Sequence, residues 1–410
     1  MPQQNLMVIG GGAAGFFCAI NAAQDNPKLQ VAIIEKTGKL LGKVRVSGGG
    51  RCNVTHNCFS IAEMTKKYPR GSSFLKKAFH HFFTSDTISW FEERGVKLKA
   101  EADGRMFPVT DSSESIINCL MQEVNKSGIQ IMLNKSVQQL SFKQGKWHAA
   151  FKDDTILTAD YVCIASGGYP SALQFDWLRK LGHHIEDPAP SLFTFNMPGN
   201  SITGLMGITV EDAAVKIMGS KLQEQGPLLI THWGMSGPCI LKLSAWGARE
   251  LAARNYNFTV MVNWLPASNE QTLKEKFQQV RFELAAQKIV NRNPFGLPQR
   301  LWQYLLQQSG VNEDIRWADL PAKEQNKLIK NCCGQEFEVK GKTTFKEEFV
   351  TAGGIDLTEI DHNTMQSKIA PNLYFAGEVL NIDGVTGGFN FQSAWTTGYL
   401  AGKAIAGNVL

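Results

Sequence analysis

Short apolar runs that stop at glycine alternate along this chain with longer stretches whose apolar residues return at helical spacing. Residues 6–9 form the first run and halt at Gly10-Gly11-Gly12-Ala13-Ala14-Gly15; Phe16, Phe17, Ala19, Ile20 and Ala23 follow, and a second run over 31–34 closes on Glu35. This predicts strand, tight turn, helix and strand, with an acid twenty residues beyond Gly15. In such a unit Gly10 permits the turn, Gly12 lets a pyrophosphate approach the backbone, and Gly15 lets the helix pack on the sheet. The helix start offers unpaired N–H groups and a positive dipole end. Glu35 suits the two hydroxyls of an adenosine ribose and argues against a 2′-phosphate. The glycines alone would also fit an ordinary turn; the acid at this spacing favours a dinucleotide.

Residues 36–60 are glycine-rich and basic and are expected to run over the cofactor as a loop. Helical spacing covers 74–94, with Trp90 and Phe91 as packing residues, and 104–108 reads as a turn and a stop. Ile116, Ile117, Leu120 and Val124 predict a helix over 112–128, followed by strands near 129–133, 137–142 and 147–151. Residues 161–165 form a buried-strand candidate ending at Ser166-Gly167-Gly168, where a cofactor could come close or the chain could simply turn. Past Pro188 and Pro190, short alternating pieces at 208–210, 214–218 and 258–262 predict a strand-rich region; 270–331 reads as helical, broken at Asn293-Pro294. Residues 351–355 suggest a strand and turn, and 373–376 a strand running into Gly377-Glu378. Gly387-Gly388 then opens a helix from Asn390 whose face of Ala394, Gly398, Ala401 and Gly402 suits close packing. Its first-turn N–H groups suit negative charge on a flavin's pyrimidine edge, and an acid before it suits a ribityl hydroxyl. A tight helix–sheet contact would ask for the same small residues.

Composition narrows the class. At 43% hydrophobic and 19% charged, 410 residues describe an ordered protein of two or three domains. No apolar stretch reaches the roughly 18 to 20 residues of a membrane span, and the first residues lack the basic region and cleavage site of a secretory leader. Eight cysteines fall far short of a disulfide scaffold, so a cytoplasmic setting is expected. The formal charge of +5 is unevenly spread. Residues 36–81 hold ten Lys and Arg against Glu63 alone, a net +9 that leaves −4 for the remainder. Such segregation points to a polyanionic partner or substrate. Overlapping its end, residues 66–83 interleave Lys66, Lys67, Arg70, Lys76 and Lys77 with Tyr, Phe and His, as phosphate contacts and base-stacking faces would require. A solvated basic helix with buried phenylalanines gives the same spelling. Metal chemistry has little support: Cys332-Cys333 and His80-His81 are adjacent pairs without a four-ligand spacing.

Four signatures carry a family resemblance: Gly10 to Gly15; Ser47-Gly48-Gly49-Gly50-Arg51-Cys52-Asn53; Thr231-His232-Trp233-Gly234-Met235-Ser236-Gly237-Pro238; and 351–354 with Thr364-Met365-Gln366-Ser367-Lys368 and 373–392. The chain resembles, over essentially its whole length, the BaiN-like or HI0933-like family of bacterial FAD-binding flavoproteins. The resemblance implies an α/β fold: a Rossmann-like FAD-binding domain of the glutathione-reductase superfamily, with an inserted β-barrel-like domain and a helical subdomain. The expected boundaries are 1–190 and 349–410 for the FAD domain, 191–268 and 332–348 for the insert, and 269–331 for the helical part. It also implies bound FAD, with the adenosine end at Gly10, Gly12, Ala13, Ala14, Gly15, Glu35 and Lys36. Gly42, Ser47, Gly48, Gly49, Arg51, Cys52, Asn53, Gly167, Gly377, Glu378, Asp383, Gly388, Phe389 and Asn390 complete the expected cofactor set. Either Glu378 or Asp383 is the acid for the ribityl chain.

Some members of the family are named for bile-acid metabolism, others resemble a dihydrouridine synthase of large-subunit ribosomal RNA. The basic segment favours RNA, so the leading expectation is an NAD(P)H-using FAD reductase of a uridine in 23S ribosomal RNA. A reductase of a small unsaturated metabolite and a flavin-bearing RNA-binding or assembly protein are the alternatives. Only one dinucleotide fingerprint occurs, so NAD(P)H is expected as a transient reductant. Ribosomal RNA is the expected partner, with no membrane and no stable protein partner evident. Saturating a uracil needs hydride from reduced flavin and a proton from a side chain. Cys52 is the first candidate donor, because an ordinary thiol stays protonated at neutral pH. Arg51 beside it would depress its pKa, Cys58 offers a redox partner, and a structural role fits as well. His232 is the second candidate. Asn53 and Trp233 join Lys66, Lys67, Arg70, Lys76 and Lys77 as expected substrate contacts.

Overall fold

A computed structural model describes residues 4–343 and 350–407. The chain folds as two compact units, Met1–Ser191 with Phe345–Leu410, and Leu192–Thr344. The expected boundary at 348/349 lies outside the described residues.

The first unit is built on a five-stranded sheet in the order Leu373–Phe375, Tyr161–Ile164, Asn5–Ile9, Gln30–Ile34, Gln130–Met132. All four pairings are parallel, with Val8 opposite both Cys163 and Ile33. Parallel strands covered on both faces read as unbroken apolar runs, and Val8, Ile33, Val162 and Ile164 are fully buried. The Ala13–Asp25 helix packs on this sheet and against the Phe389–Ile405 helix. A Cβ on Gly398 or Gly402 would lie 2.5 Å from the Ala14 carbonyl oxygen or 2.6 Å from that of Cys18, so the small face forms a helix–helix contact. An antiparallel sheet of Val137–Lys143, Lys146–Phe151 and Ile156–Ala159 completes this part.

Three local expectations change. The stretch 74–94 forms two helices, Ser72–Ala78 and Thr84–Glu92. Asp86 caps the Phe83 N–H at 2.7 Å and restarts the second, while Phe79, Phe82 and Phe83 drive the intervening turn into the core. Residues 105–108 continue as the middle strand of a small antiparallel sheet with Thr55–His56 and Leu98–Ala100. The expected loop after residue 41 contains a helix, Gly42–Gly50, broken where Ser47 turns extended and Gly48 and Gly49 turn left-handed.

The chain leaves this unit along Ile185–Ser191 and returns along Val350–Ile355; the two strands pair antiparallel, with a bulge between Glu186 and Ala189. The second unit contains a seven-stranded antiparallel sheet whose long central members are Asn257–Asn263, Thr209–Ile217 and Gln223–Thr231. Helices Glu270–Glu283, Gln299–Ser309 and Ala322–Gly334 share its core through buried Phe277, Trp302 and Leu328, joined by Trp317 from the turn before the third. Gln223–Thr231 escaped the apolar pattern because it opens on Gln-Glu-Gln-Gly-Pro.

Candidate cofactor site

Asn5–Ile9 delivers the chain to a turn that only glycine can make. Gly10 has φ +123°, and a Cβ there would sit 2.2 Å from the Ala165 carbonyl oxygen; a Cβ on Gly15 would meet the Gly10 carbonyl oxygen at 2.0 Å. Gly12, by contrast, faces open space, with no atom within 4 Å of a built Cβ. The first bond of the helix runs from the Phe16 N–H to the Gly12 carbonyl at 3.0 Å, which leaves the N–H groups of Ala13, Ala14 and Gly15 outside the helical ladder. Glu35 stands beside this turn. One carboxylate oxygen accepts from the Gly11 N–H at 2.9 Å, the other from the Thr37 N–H and hydroxyl at 2.8 Å. A carboxylate has about four acceptor positions, so Glu35 is oriented by protein donors and retains room for one ribose hydroxyl rather than two. Lys36 is exposed, its ammonium 5.3 Å from the Tyr169 ring centre.

The other end joins residues more than three hundred positions apart. Gln392, in the first turns of the Phe389–Ile405 helix, accepts from the hydroxyls of Thr55 at 2.6 Å and Thr87 at 3.1 Å. Its amide donates to Thr396, whose hydroxyl bonds the Phe82 carbonyl, and Trp395 donates to the Val54 carbonyl at 2.9 Å. With its carboxamide turned to satisfy both ends, Asn53 donates to the Thr55 carbonyl and accepts from the Gly388 N–H, each at 3.0 Å. Tyr68 donates to the Phe389 carbonyl at 2.7 Å, and the His56 ring stacks on Phe389 with centroids 4.7 Å apart. The helix ladder begins only at Gln392 N–H to Gly388 carbonyl, leaving the preceding N–H groups of Phe389, Asn390 and Phe391 outside it. Gln392 closes the 373–392 signature, but Thr55, Thr87 and Thr396 were not marked by the sequence patterns; their only signal is polar residues at fully buried positions.

Several expected contacts are already engaged. Asp383 is wholly buried and gives its carboxylate to the Arg70 guanidinium and to the Ser191 hydroxyl, the latter at 2.7 Å. Burial pushes its pKa up, against the pull of Arg70 and Ser191. Asp383 is therefore a structural acid, and Arg70 is its counter-ion rather than an exposed phosphate ligand. Glu378 accepts from the Thr351 N–H at 2.9 Å and pairs with Lys43, yet its side chain keeps 18% exposure. Of the two acids it is the one with an open edge. Asn390 clamps Gly384 through both halves of its amide, at 2.8 and 2.9 Å, which closes the 384–390 loop and uses one donor and one acceptor of the side chain; Asn53 is engaged in the same way.

Cys52 is fully enclosed and sits in the left-handed region at φ 61°, its N–H bonded to the Ser47 carbonyl at 3.0 Å. Burial pushes its thiol up to about 12, with a contact from Ser47 acting the other way. Arg51 does not depress it: the guanidinium stacks 4.0 Å from the Phe107 ring centre and pairs with Glu101 at 2.6 Å. A thiol with no exposed surface touches neither cofactor nor substrate, so Cys52 shapes the turn, and both it and Cys58 are free thiols.

The lysines and most rings of the basic segment divide by burial, while Phe74 is half-buried and His80 and His81 are exposed. Lys66, Lys67, Lys76 and Lys77 are exposed, whereas Tyr68, Phe79, Phe82 and Phe83 are buried, so these aromatics are core and offer bases no stacking face. In the second unit, the 231–234 turn is tied by the Gly234 N–H to the Thr231 hydroxyl at 3.2 Å and by the Met197 N–H to the Trp233 carbonyl at 2.7 Å. His232 is exposed there, its ring 4.0 Å from the Trp233 indole centre. Among the described residues, His184, Glu186 and Asp356 bring metal-ligating atoms within 4.8 Å of one another. The trio spans the Ile185–Ser191 and Val350–Ile355 ribbon, so no spacing along the chain announced it.

FAD fits the residues present. Gly12, Gly42, Gly49 and Gly167 each face space that a Cβ would enter without meeting an atom. Helix N–H groups at 13–15 stand outside the ladder, and the buried Thr351 hydroxyl beside Glu378 has no protein partner. A model of the HI0933-like protein Rossmann domain matches residues 4–404. The chain belongs to the HI0933-like family. This HI0933-like protein is 29% identical over 412 residues to a ribosomal RNA dihydrouridine synthase of Haemophilus influenzae, covering 98% of each chain. It is 26% identical over 408 residues to a 3-dehydro-bile acid Δ4,6-reductase of Clostridium scindens, covering 97% of this chain and 98% of that one. Its fold matches 3-ketosteroid-Δ4-(5α)-dehydrogenase from Rhodococcus jostii RHA1 with a TM-score of 0.53 at 13% identity, over 98% of this chain and 97% of that one. Family and fold together give the architecture of a FAD-dependent oxidoreductase, built on a Rossmann-like FAD-binding domain. Among the described residues no helix is long and apolar enough to cross a membrane.

Proposed function

We propose that this protein is an FAD-dependent reductase that draws electrons from NAD(P)H and saturates a uridine of 23S ribosomal RNA to dihydrouridine. One observation carries the choice of RNA. The Val385 N–H donates to the Lys67 carbonyl at 2.9 Å and Tyr68 holds the Phe389 carbonyl, so the exposed lysine surface is bolted to the loop at the flavin end. Phosphates held by Lys66, Lys67, Lys76 and Lys77 would bring a flipped-out base toward that end.

Bound FAD, once reduced, supplies the hydride. The chain's own residues do the rest. The 13–15 N–H groups would hold the pyrophosphate, Glu35 the ribose and Glu378 the ribityl chain, and the start of the Phe389–Ile405 helix would stabilise negative charge on the flavin edge. A side chain must supply the proton to the substrate carbon, and His232, exposed on its tied loop, is the candidate that the sequence offers. His232→Ala should leave flavin binding intact and slow substrate saturation by about 10²-fold or more.

The deciding experiment maps dihydrouridine in ribosomal RNA from cells lacking the gene and then restores it with purified protein and NAD(P)H. Loss and return of one modified site supports the proposal; an unchanged map defeats it. A reductase of a small unsaturated metabolite is the second reading. It is favoured by the burial of Tyr68, Phe79, Phe82 and Phe83 and by the bile-acid reductase relative. NAD(P)H oxidation driven by such a metabolite, without RNA, would select it.

A further inference from the structure

The Thr364-Met365-Gln366-Ser367-Lys368 signature supplies none of the cofactor contacts described above, yet the fold invests heavily in its shape. Asp361 accepts from the N–H groups of Asn363 and Thr364 at 2.8 and 3.2 Å. Ser367 accepts from those of Ile369 and Ala370 at 3.1 and 3.0 Å, while its hydroxyl lies 3.1 Å from the His183 ring, whose other nitrogen is 2.9 Å from Glu359. The result is a stiff bracket that holds Lys368 exposed, its ammonium donating to the Thr358 carbonyl at 2.8 Å.

This bracket docks against the Ser72–Ala78 helix and the turn after it. His81 reaches the Asn363 amide at 3.1 Å, and the Phe74 and His362 rings lie 6.4 Å apart. Burial, then repulsion from Lys77, with smaller pushes from Lys368 and His81, lowers the His362 pKa, and Asp361 acts the other way. At neutral pH His362 is an uncharged hydrogen-bonding group set among cations. The nearby acids are engaged internally, Asp361 by backbone N–H groups and Glu359 by His183 and the His184 N–H.

We propose that the phosphate-binding face continues across this contact, with Lys77 and Lys368 gripping phosphates of one RNA strand from two clamped elements and His81 and His362 hydrogen-bonding between them. The proposal rests on the RNA reading above and adds a second element to its surface. FAD-loaded protein is titrated against a short labelled oligouridine over a salt series. Lys77→Gln with Lys368→Gln keeps a donor for the Thr358 carbonyl and removes two charges. The slope of log Kd against log salt should then become shallower by about 1.4, at ~0.7 per phosphate on a single strand. Lys323→Gln with Lys327→Gln, exposed on the second unit, is the charge-matched control and should leave the slope unchanged. Retained flavin absorbance shows that each variant is folded. An unchanged slope for the Lys77/Lys368 pair, with wild type still binding, overturns this extension alone. Failure of wild type to bind oligouridine overturns the RNA reading itself. Equal binding of polyglutamate assigns the face to an acidic protein and overturns both.

Discussion

The proposed adenosine end and the proposed flavin end of the candidate cofactor site are built on opposite principles. At the first, residues 10–35 do almost everything: one turn, one helix start and one acid, all within a single strand–helix–strand unit. At the second, residues 52–56, 68–70, 82–87 and 383–396 meet through buried hydrogen bonds between positions more than three hundred residues apart. Local construction fails through backbone geometry; distributed construction fails through unsatisfied polar groups. The two should break differently.

Gly10→Ala should have the largest effect. A methyl group 2.2 Å from a carbonyl oxygen, at φ +123°, cannot be relieved by a rotamer change, and a loss of more than about 3 kcal/mol with no yellow protein is expected. Soluble expression and flavin absorbance read this directly. Retention of flavin would mean that the turn can move.

Arg70→Ala comes next, because it strands a buried carboxylate, at a cost of about 3 to 5 kcal/mol. Asp383 already has a pKa raised by burial. A carboxyl raised in the fold favours folding below its ordinary range and loses that contribution as pH rises through the raised value. Removing Arg70 raises it further, so urea unfolding should show the largest deficit at pH 7.5 and a smaller one at pH 5. A pH-independent deficit would put the loss in packing instead.

Gln392→Ala leaves the Thr55 and Thr87 hydroxyls without their shared acceptor, for about 1 to 3 kcal/mol. Flavin should remain bound, while amide exchange quickens over 52–56 and not over 10–15. Equal quickening at both ends would erase the distinction drawn here. Cys52→Ala is the mildest test: an enclosed thiol predicts turnover within about twofold of wild type, against the 10²-fold or greater loss expected for a general acid.

What was legible followed the same division. The glycine turn, its helix and Glu35 could be read because their physics is contained in thirty contiguous residues. The family signatures named the second end but not its wiring. Asp383 looked like a ribityl ligand because its partner, Arg70, is 313 positions away. Asn53 and Asn390 looked uncommitted because no sequence pattern shows that their amides bond Gly388 and Gly384. The stretch 74–94 was read as one helix because its apolar residues keep helical period straight through the turn that Asp86 restarts. The lysine–aromatic alternation of 66–83 carried two meanings, and burial separated them: Lys66, Lys67, Lys76 and Lys77 outward, Tyr68, Phe79, Phe82 and Phe83 inward.

The paired strands at the root of the second unit have one more implication. Ser191 stands directly across from Val350, so the excursion begins and ends at neighbouring rungs of a single ladder. Strands so placed can be joined by a hairpin turn. The cofactor domain can thus be closed into a minimal flavin carrier, or fitted with a foreign module whose own ends lie close together, with no rerouting of its sheet. Exchange of that module would leave the strand order and the glycine turn of the first unit as they are.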